Sequence, residues 1–257
     1  MKIGFIGVGN MANAIIKGID NKDSIYISGR TYESTCDKAQ ILGVHPCKSN
    51  QECAQTVDLL FISVKPEMFE TIFAEIKPVL DHQTLVSIAA KKTLEDIEVL
   101  SGSMPIIRVM PNLNVAIQRG ISAICHNNRV TTDALVEVQG IFDALGGFVS
   151  IPESQFSGFI GIAGSSPAFV FKFIDELAKS VLDEGFDYDT ALKITCAAVT
   201  GSAEYLSQSG EPADVLVDRV CSPGGTTIEG VRALDANGFA KAIHAASQAT
   251  ILKDKQG

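Results

Sequence analysis

The chain has 257 residues, 46% of them hydrophobic and 20% charged, with a formal net charge of −9. That length can bury a large core and suits two domains, and the composition is that of a globular protein. The negative balance argues against a nucleic-acid surface, although local backbone dipoles can still hold an anionic ligand.

No run of roughly 18 consecutive apolar residues is present, so no membrane span is expected. The first strand is expected to begin at residue 2, which leaves no room for a signal peptide. Cys36, Cys47, Cys53, Cys125, Cys196 and Cys221 form no C-x-x-C pair and have no histidine at zinc spacing. They read as reduced thiols, mostly buried, of a cytoplasmic protein, and no metal site is expected. His45, His82, His126 and His244 are scattered and read as surface or internally satisfied residues.

The opening segment carries the strongest signal. A short apolar run ends at Ile6 and passes through Gly7-Val8-Gly9-Asn10-Met11-Ala12 into a helical pattern over Met11–Ile19. This is the strand, turn and helix start that holds a dinucleotide pyrophosphate. Gly7 permits the tight turn, Gly9 lets phosphate approach bare backbone, and Ala12 lets helix and strand pack closely. Free N–H groups of the first helical turn, from Asn10 on, would face the anion.

Strand signals follow at Ser24–Ser28, Leu59–Val64, Leu85–Ile88, Ile106–Met110, Ile121–Cys125 and Phe148–Ile151. Helical patterns lie between most of them, at Tyr32–Leu42, Asn50–Gln55, Glu67–Ile76, Leu94–Leu100 and Asp133–Leu145. Continuous aliphatic runs suit strands covered on both faces. The alternation predicts an α/β domain with a doubly wound sheet over residues 1–152.

Ser28-Gly29-Arg30-Thr31 ends the second strand about twenty residues after Gly9, where an NAD site would carry an acid. Arg30 instead offers a planar, permanent cation for a 2′-phosphate, with Ser28 and Thr31 as neutral donors. NADPH is therefore the expected cofactor, with NADH accepted less tightly. Val64-Lys65-Pro66 and Met110-Pro111-Asn112 end two further strands, and strand C-termini line the ligand crevice of such sheets. Lys65 and Asn112 are accordingly candidates for contact with the cofactor. A surface lysine before a proline turn, and ordinary Pro-Asn turn chemistry, are the alternatives.

After Pro152 the pattern changes, and residues 153–257 read as an all-helical second domain. The glycine-rich stretch Gly161–Pro167 is expected to be a loop of close backbone approach. Ser166 would cap a helix with Pro167 in its first turn, and Gly185 would close it. Asp189 is expected to cap a second helix reaching Gln208, rich in small residues such as Ala197, Ala198, Gly201 and Ala203. Small residues on several faces ask for helix contacts all round, which is hard to arrange within ~100 residues. A homodimer built from this domain is expected, the alternative being a buried central helix of a monomer. Shorter helices are predicted over Pro212–Val220, Thr226–Leu234 and Phe239–Lys253.

The most specific segment here is Cys221-Ser222-Pro223-Gly224-Gly225-Thr226-Thr227. Thr226-x-x-Glu229 reads as a capping box. The N–H groups of Gly225, Thr226 and Thr227 can converge on an anion, and Ser222 and Thr227 add hydroxyls; a carboxylate fits best. No strong acid–base group, activated cysteine or metal cluster accompanies these loops. Reduction of a cationic C=N bond needs little beyond an aligned hydride and acceptor, whereas a carbonyl reductase would normally want a proton donor.

Taken together, Phe5–Ala12, Val64-Lys65-Pro66, Arg108–Asn112, Gly164-Ser165-Ser166-Pro167-Ala168 and Ser222–Thr227 resemble the pyrroline-5-carboxylate reductase family along nearly the whole chain. The resemblance implies an N-terminal Rossmann domain and a C-terminal helical dimerisation domain, with dimers that in this family often assemble into decamers. It implies NAD(P)H-dependent reduction of 1-pyrroline-5-carboxylate to L-proline. Ser222, Gly225 and Thr226 would grip the substrate carboxylate. Thr227, the one catalytic candidate, would orient the ring nitrogen. Cofactor contacts would come from Ile6, Gly7, Gly9, Asn10, Met11, Ala12, Ser28, Arg30, Thr31, Val64, Lys65, Pro66 and Asn112. The chain departs from the family at Asn114, commonly proline, at Gln118-Arg119-Gly120, and at Phe169, often tyrosine. Two other readings stay open: an NADP-dependent dehydrogenase of the β-hydroxyacid type, for which Lys172 lies far along its helix, and a non-catalytic NADP-binding sensor.

Overall fold

The computed structural model describes residues 1–256. Its first part alternates β1 (Ile3–Ile6), α1 (Asn10–Gly18), β2 (Ile25–Ser28), α2 (Tyr32–Leu42), β3 (His45–Pro46), α3 (Asn50–Thr56) and β4 (Leu59–Ile62). It continues through α4 (Phe69–Ile76), β5 (Thr84–Ser87), α5 (Leu94–Ser101), β6 (Ile106–Pro111), β7 (Ser122–His126), α6 (Thr132–Ala144) and β8 (Phe148–Ser150). All the strands join one sheet in the order β3-β2-β1-β4-β5-β6-β7-β8. Since β1 lies between β2 and β4, the chain winds both ways from it. The end of β1 is therefore the switch point where open α/β sheets bind ligands.

The strand sequences explain why both faces are covered. Every residue of β1, β4, β5 and β6 is buried. Alternation along β4 sends Leu59 and Phe61 to one core, with Ile15 and Ile16 of α1 and Val138 and Phe142 of α6. Leu60 and Ile62 enter the other, with Phe69, Phe73 and Ile76 of α4 and Ile97 of α5. Phe5 and Phe61, adjacent in register across β1 and β4, stack with ring centroids 4.5 Å apart.

Strand β3 escaped the sequence reading because it is only His45–Pro46, an edge pair with no aliphatic run. Strands β6 and β7 pair antiparallel, unlike the rest of the sheet. The connection between them, Asn112–Ile121, is too short for a crossover helix. It holds a single 3-10 turn, Leu113–Ile117, closed by Gln118 in the left-handed region at φ 52°. A Cβ at Gly120 would come within 2.7 Å of the Val115 backbone nitrogen, so glycine is required there.

Three of the six thiols, Cys47, Cys53 and Cys125, are buried, against the expectation that most would be. Burial pushes the Cys125 thiol up to about 12.

By contacts the chain divides after Gly164, not at Pro152, and from Ile251 on it rejoins the first unit. The reason is packing. Phe156 and Phe159 of α7 (Phe156–Phe159) and Ala163 bury against Met110, Ala123 and Cys125 of the sheet. A bond from the Ser157 hydroxyl to Asp254, 2.8 Å, holds the chain's end. The buried Arg108 guanidinium on β6 pairs with Glu153 at 2.8 Å and lies 4.5 Å from the Phe156 ring centroid. The same Glu153 oxygen accepts from the Leu94 N–H, which starts α5. Gly161–Pro167 is not a loop: Ile160–Gly164 is a π-helical turn leading into the next helix, and within the chain a Cβ at Gly164 would make only ordinary contacts.

The second unit, Ser165–Thr250, holds α8 (Ser166–Lys179), α9 (Tyr188–Ser209), α10 (Ala213–Val220) and α11 (Thr226–Ala236), with most of α12 (Phe239–Lys255). Neither expected cap lies where the sequence pointed. Ser165 precedes α8 without a side-chain bond, and Asp187, not Asp189, caps α9 by accepting from the Thr190 N–H. Gly185 closes the 3-10 turn after α8, at φ 88°. The small-residue face of α9 is exposed in the single chain: only Ala191 and Thr195 are buried. That excludes the buried-central-helix reading. The helical stretch Glu153–Glu184 is, by length and composition, apolar enough to cross a membrane, a property the search for an unbroken apolar run missed.

Removing Glu153 would strand the Arg108 charge in the core. Glu153→Ala is expected to destabilise the protein by about 3 kcal/mol, read from its urea unfolding midpoint, with Arg108→Met in the same background recovering part of the loss.

Candidate functional site

Several helices of this chain begin on a side chain that fills their first N–H groups. Thr31, Ser49, Thr93, Thr131 and Asp187 each accept from the backbone three residues on. α1 and α11 do not. Both start from glycine caps in nearly the same extended conformation, Gly9 at φ −84°, ψ −173° and Gly225 at φ −79°, ψ 172°, without a side-chain bond. Their first-turn N–H groups are left for an anion.

At the first of these, Gly7 takes φ 86°, and its N–H bonds the Ser28 carbonyl at 2.9 Å. A Cβ at Gly7 would lie 2.8 Å from Val64 and 3.0 Å from the Ser63 carbonyl oxygen, so glycine is required by the protein itself. A Cβ at Gly9 would meet nothing within 4 Å. The space in front of Gly9 belongs to a cavity of about 680 Å³ at the strand C-termini. That open cradle fits a dinucleotide phosphate. At the other end of α1 the Lys22 ammonium lies against the carbonyls of Ile16, Lys17 and Ile19. The helix dipole is thus completed at one end and open at the other.

Of the cofactor candidates, Ile6, Gly7, Gly9, Arg30, Val64 and Lys65 line this cavity. The others are placed differently. Ala12 is buried in the core, and Met11 packs against it. Asn10 is an exposed first-turn residue. Ser28 is buried and donates its hydroxyl to Asn50 at 2.7 Å. Thr31 serves α2 as its cap. Pro66 opens a 3-10 turn. Asn112 is buried: it accepts from Asn114 and Ile121 N–H groups and donates to the Ala163 carbonyl at 3.2 Å, so it ties strand, loop and helix together. Sequence reasoning missed Ser34, Lys38, Asn50 and Ser63 in the lining. Ser34 and Lys38 are four residues apart, a spacing that puts them on one face of α2. The Ser63 hydroxyl is buried without a partner.

At the second glycine cap, Ser222-Pro223-Gly224-Gly225 forms a type II turn. Proline fixes the second position, Gly224 takes φ 70°, and the Gly225 N–H donates to the Ser222 carbonyl at 2.9 Å. This corrects two expectations. The Gly225 N–H is already used, and the free donors are those of Thr226 and the residues after it. Thr226-x-x-Glu229 forms no capping box, because Gly225 holds the cap position and Glu229 pairs with Arg232 at 2.7 Å. Ser222, Gly224 and Thr226 are exposed. Thr227 lines an adjoining cavity of about 750 Å³ with Cys221, Val231 and the Ala198, Gly201 and Ser202 face of α9. Among the described residues no cluster of metal-ligating side chains exists.

A doubly wound sheet with a glycine phosphate cradle at its switch point, followed by an all-helical unit, defines the class of dinucleotide-binding α/β oxidoreductases with a helical partner domain. A family model for pyrroline-5-carboxylate reductase dimerisation matches residues 153–257, and one described as NADP oxidoreductase, coenzyme F420-dependent, matches residues 2–91. The pyrroline-5-carboxylate reductase of Escherichia coli (strain K12) is 38% identical over 250 residues, covering 94% of this chain and 93% of the relative. A crystal structure of the Streptococcus pyogenes 1-pyrroline-5-carboxylate reductase matches with TM-score 0.91 and 35% identity, covering 100% of this chain and 99% of that one. The Plasmodium falciparum pyrroline carboxylate reductase with NADP bound matches with TM-score 0.89 and 29% identity, covering 100% and 97%. The chain belongs to the pyrroline-5-carboxylate reductase family.

The two glycines of the cradle should separate in experiment. Gly7→Ala is expected to lower stability by at least about 1 kcal/mol through backbone strain, seen as a lower Tm. Gly9→Ala should leave Tm unchanged and weaken dinucleotide binding about 10-fold or more, measured by calorimetry, by filling the phosphate space.

Proposed function

We propose that this chain reduces the C=N bond of 1-pyrroline-5-carboxylate to give L-proline, using NAD(P)H. The observation that carries the reading is the glycine-capped start of α11, with Ser222 and Thr227 hydroxyls beside it, in a chain of this family. When bound, the coenzyme supplies the hydride.

The chain's own residues hold and orient. Gly7 and Gly9 with the open turn of α1 receive the pyrophosphate, and Arg30 faces the 2′-phosphate that makes NADPH the preferred coenzyme. Val64 and Lys65 contact the coenzyme from the β4 side. Ser222 Oγ and the Thr226 and Thr227 N–H groups clasp the substrate carboxylate, while Gly225 contributes a bare backbone. The Thr227 hydroxyl bonds the ring nitrogen and fixes the imine plane. A threonine hydroxyl is too weak an acid to drive protonation, so the nitrogen's proton comes from solvent or arrives with the protonated substrate.

The working unit is a homodimer joined through the helical domain, and the decameric assembly implied by the family resemblance belongs to the same proposal. Support comes from the exposed small-residue face of α9 and from the dimerisation description of the matching family model. We assign the exposed apolar residues of α8, such as Val170, Phe171 and Leu177, to that interface, and read the stretch Glu153–Glu184 as not crossing a membrane. Lys172, Asp175, Glu176 and Lys179 stand along it as ion pairs, and such charges are unfavourable in hydrocarbon. Lys172, which a β-hydroxyacid-type mechanism would need, is one of these paired surface residues. A cytoplasmic location, read from the cysteine spacing, belongs to the same proposal.

The purified protein should consume NADPH with 1-pyrroline-5-carboxylate; turnover only of hydroxyacids with NADP+ would overturn the reading, and tight NADPH binding without turnover would favour a sensor. Thr227→Ala should lower kcat by ~10-fold or more, with coenzyme affinity unchanged, because an orienting bond at the reacting centre is lost.

A further inference from the structure

We infer that Lys38 is a second cation for the phosphate monoester on the adenosine ribose, acting beside Arg30. The inference rests on the NADPH reading above and adds a residue that reading lacks. Lys38 lies two turns into α2, three and four residues beyond Thr35 and Ser34, so the three side chains share one stripe of the helix. All three line the dinucleotide cavity together with Arg30. The acids of the same helix, Glu33 and Asp37, are not in the lining. The helix therefore turns hydroxyls and a cation to the cavity and its carboxylates elsewhere.

The Lys38 ammonium donates to the Val8 carbonyl at 2.8 Å, which holds it over the Gly7–Gly9 turn. It is exposed, and an ammonium has two further N–H groups to offer. Lys65 also lines the cavity but follows β4, across β1 from Lys38. The cations are thus divided by the turn: Arg30 and Lys38 on the β2 side, Lys65 on the β4 side. In this fold the adenosine ribose lies at the end of β2. A phosphate monoester brings nearly two charges and three acceptor oxygens, more than one guanidinium fork satisfies. A compact ammonium beside it supplies the remaining charge and donors. In a chain of net charge −9, the lining carries Arg30, Lys38 and Lys65 against the single acid Glu67, a local field opposite to the whole.

The coenzyme carries phosphate in two places, the ribose monoester and the pyrophosphate, and calorimetry with NADP+ and NAD+ separates them. Lys38→Met in the full chain, which keeps the aliphatic stem, is expected to weaken NADP+ about 10-fold and leave NAD+ within about twofold, with Lys38→Arg close to the parent. Equal weakening of both coenzymes would assign Lys38 to the pyrophosphate and overturn the inference. No weakening of either would overturn it as well. Intact NAD+ binding in Lys38→Met reports that the site is folded. Arg30→Ala is the separate arm. If the parent protein does not favour NADP+ over NAD+, or if Arg30→Ala weakens both equally, the underlying NADPH reading fails. If Arg30→Ala loses NADP+ selectively and Lys38→Met does not, only the role of Lys38 fails.

Discussion

An α-helix whose first N–H groups meet no side-chain acceptor ends in unbalanced partial positive charge. Most sequences remove that charge with Ser, Thr or Asp at the cap, and this chain does so repeatedly. At α1 and α11 it places glycine instead. At α1 the opposite end is closed by Lys22, and no acid stands in the first turn, so the uncompensated charge points one way, into the cavity at the end of β1. The switch-point topology, the left-handed Gly7 and the buried aliphatic runs of β1 and β4 all serve to hold that helix start where the strands end.

The second glycine cap is built by different local means. In the first unit a strand delivers the chain to the turn, and Val64 and the Ser63 carbonyl press on Gly7 from β4. In the second a type II turn, Ser222–Gly225, makes the same extended entry without any sheet. The extended cap conformation is the ordinary one, shared with Thr93, Thr131 and Asp187; what sets Gly9 and Gly225 apart is the missing side-chain acceptor, which leaves the donors bare. A Ser or Thr at either cap would add only about a few tenths of a kcal/mol to its helix while placing a hydroxyl over the free N–H groups.

Much of this was legible in the sequence, for identifiable reasons. Continuous aliphatic runs located β1, β4, β5 and β6, and helical spacing of apolar residues placed the helices between them. The pattern of Gly7, Gly9 and Ala12 located the cradle. What the sequence hid depended on contacts between distant segments. Residues 153–164 look like the start of a helical domain, yet Phe156 and Phe159 pack on the sheet, and only Arg108 reaching Glu153 makes that visible. Thr226 and Glu229 fit a capping box by type and spacing, but the preceding turn moved the cap to Gly225. Asn112 read as a ligand donor because polar turn residues at strand ends often are; its amide is instead used between Ile121 and Ala163. Lys38 carries no motif at all. Its place follows from the facing of α2 and a carbonyl thirty residues earlier in the chain.

The helical unit leaves large apolar side chains outward: Phe171 at 55% exposure, Ile194 at 53%, Tyr205 at 56% and Val220 at 66%. In the proposed homodimer a newly made copy would keep these surfaces wet until it met another. Dilution would then act as a denaturant, because the folded state would gain its last increment of free energy from a bimolecular step. Copies released in low numbers would dwell longest as sticky half-assembled chains, the species that chaperones recognise and that aggregation consumes.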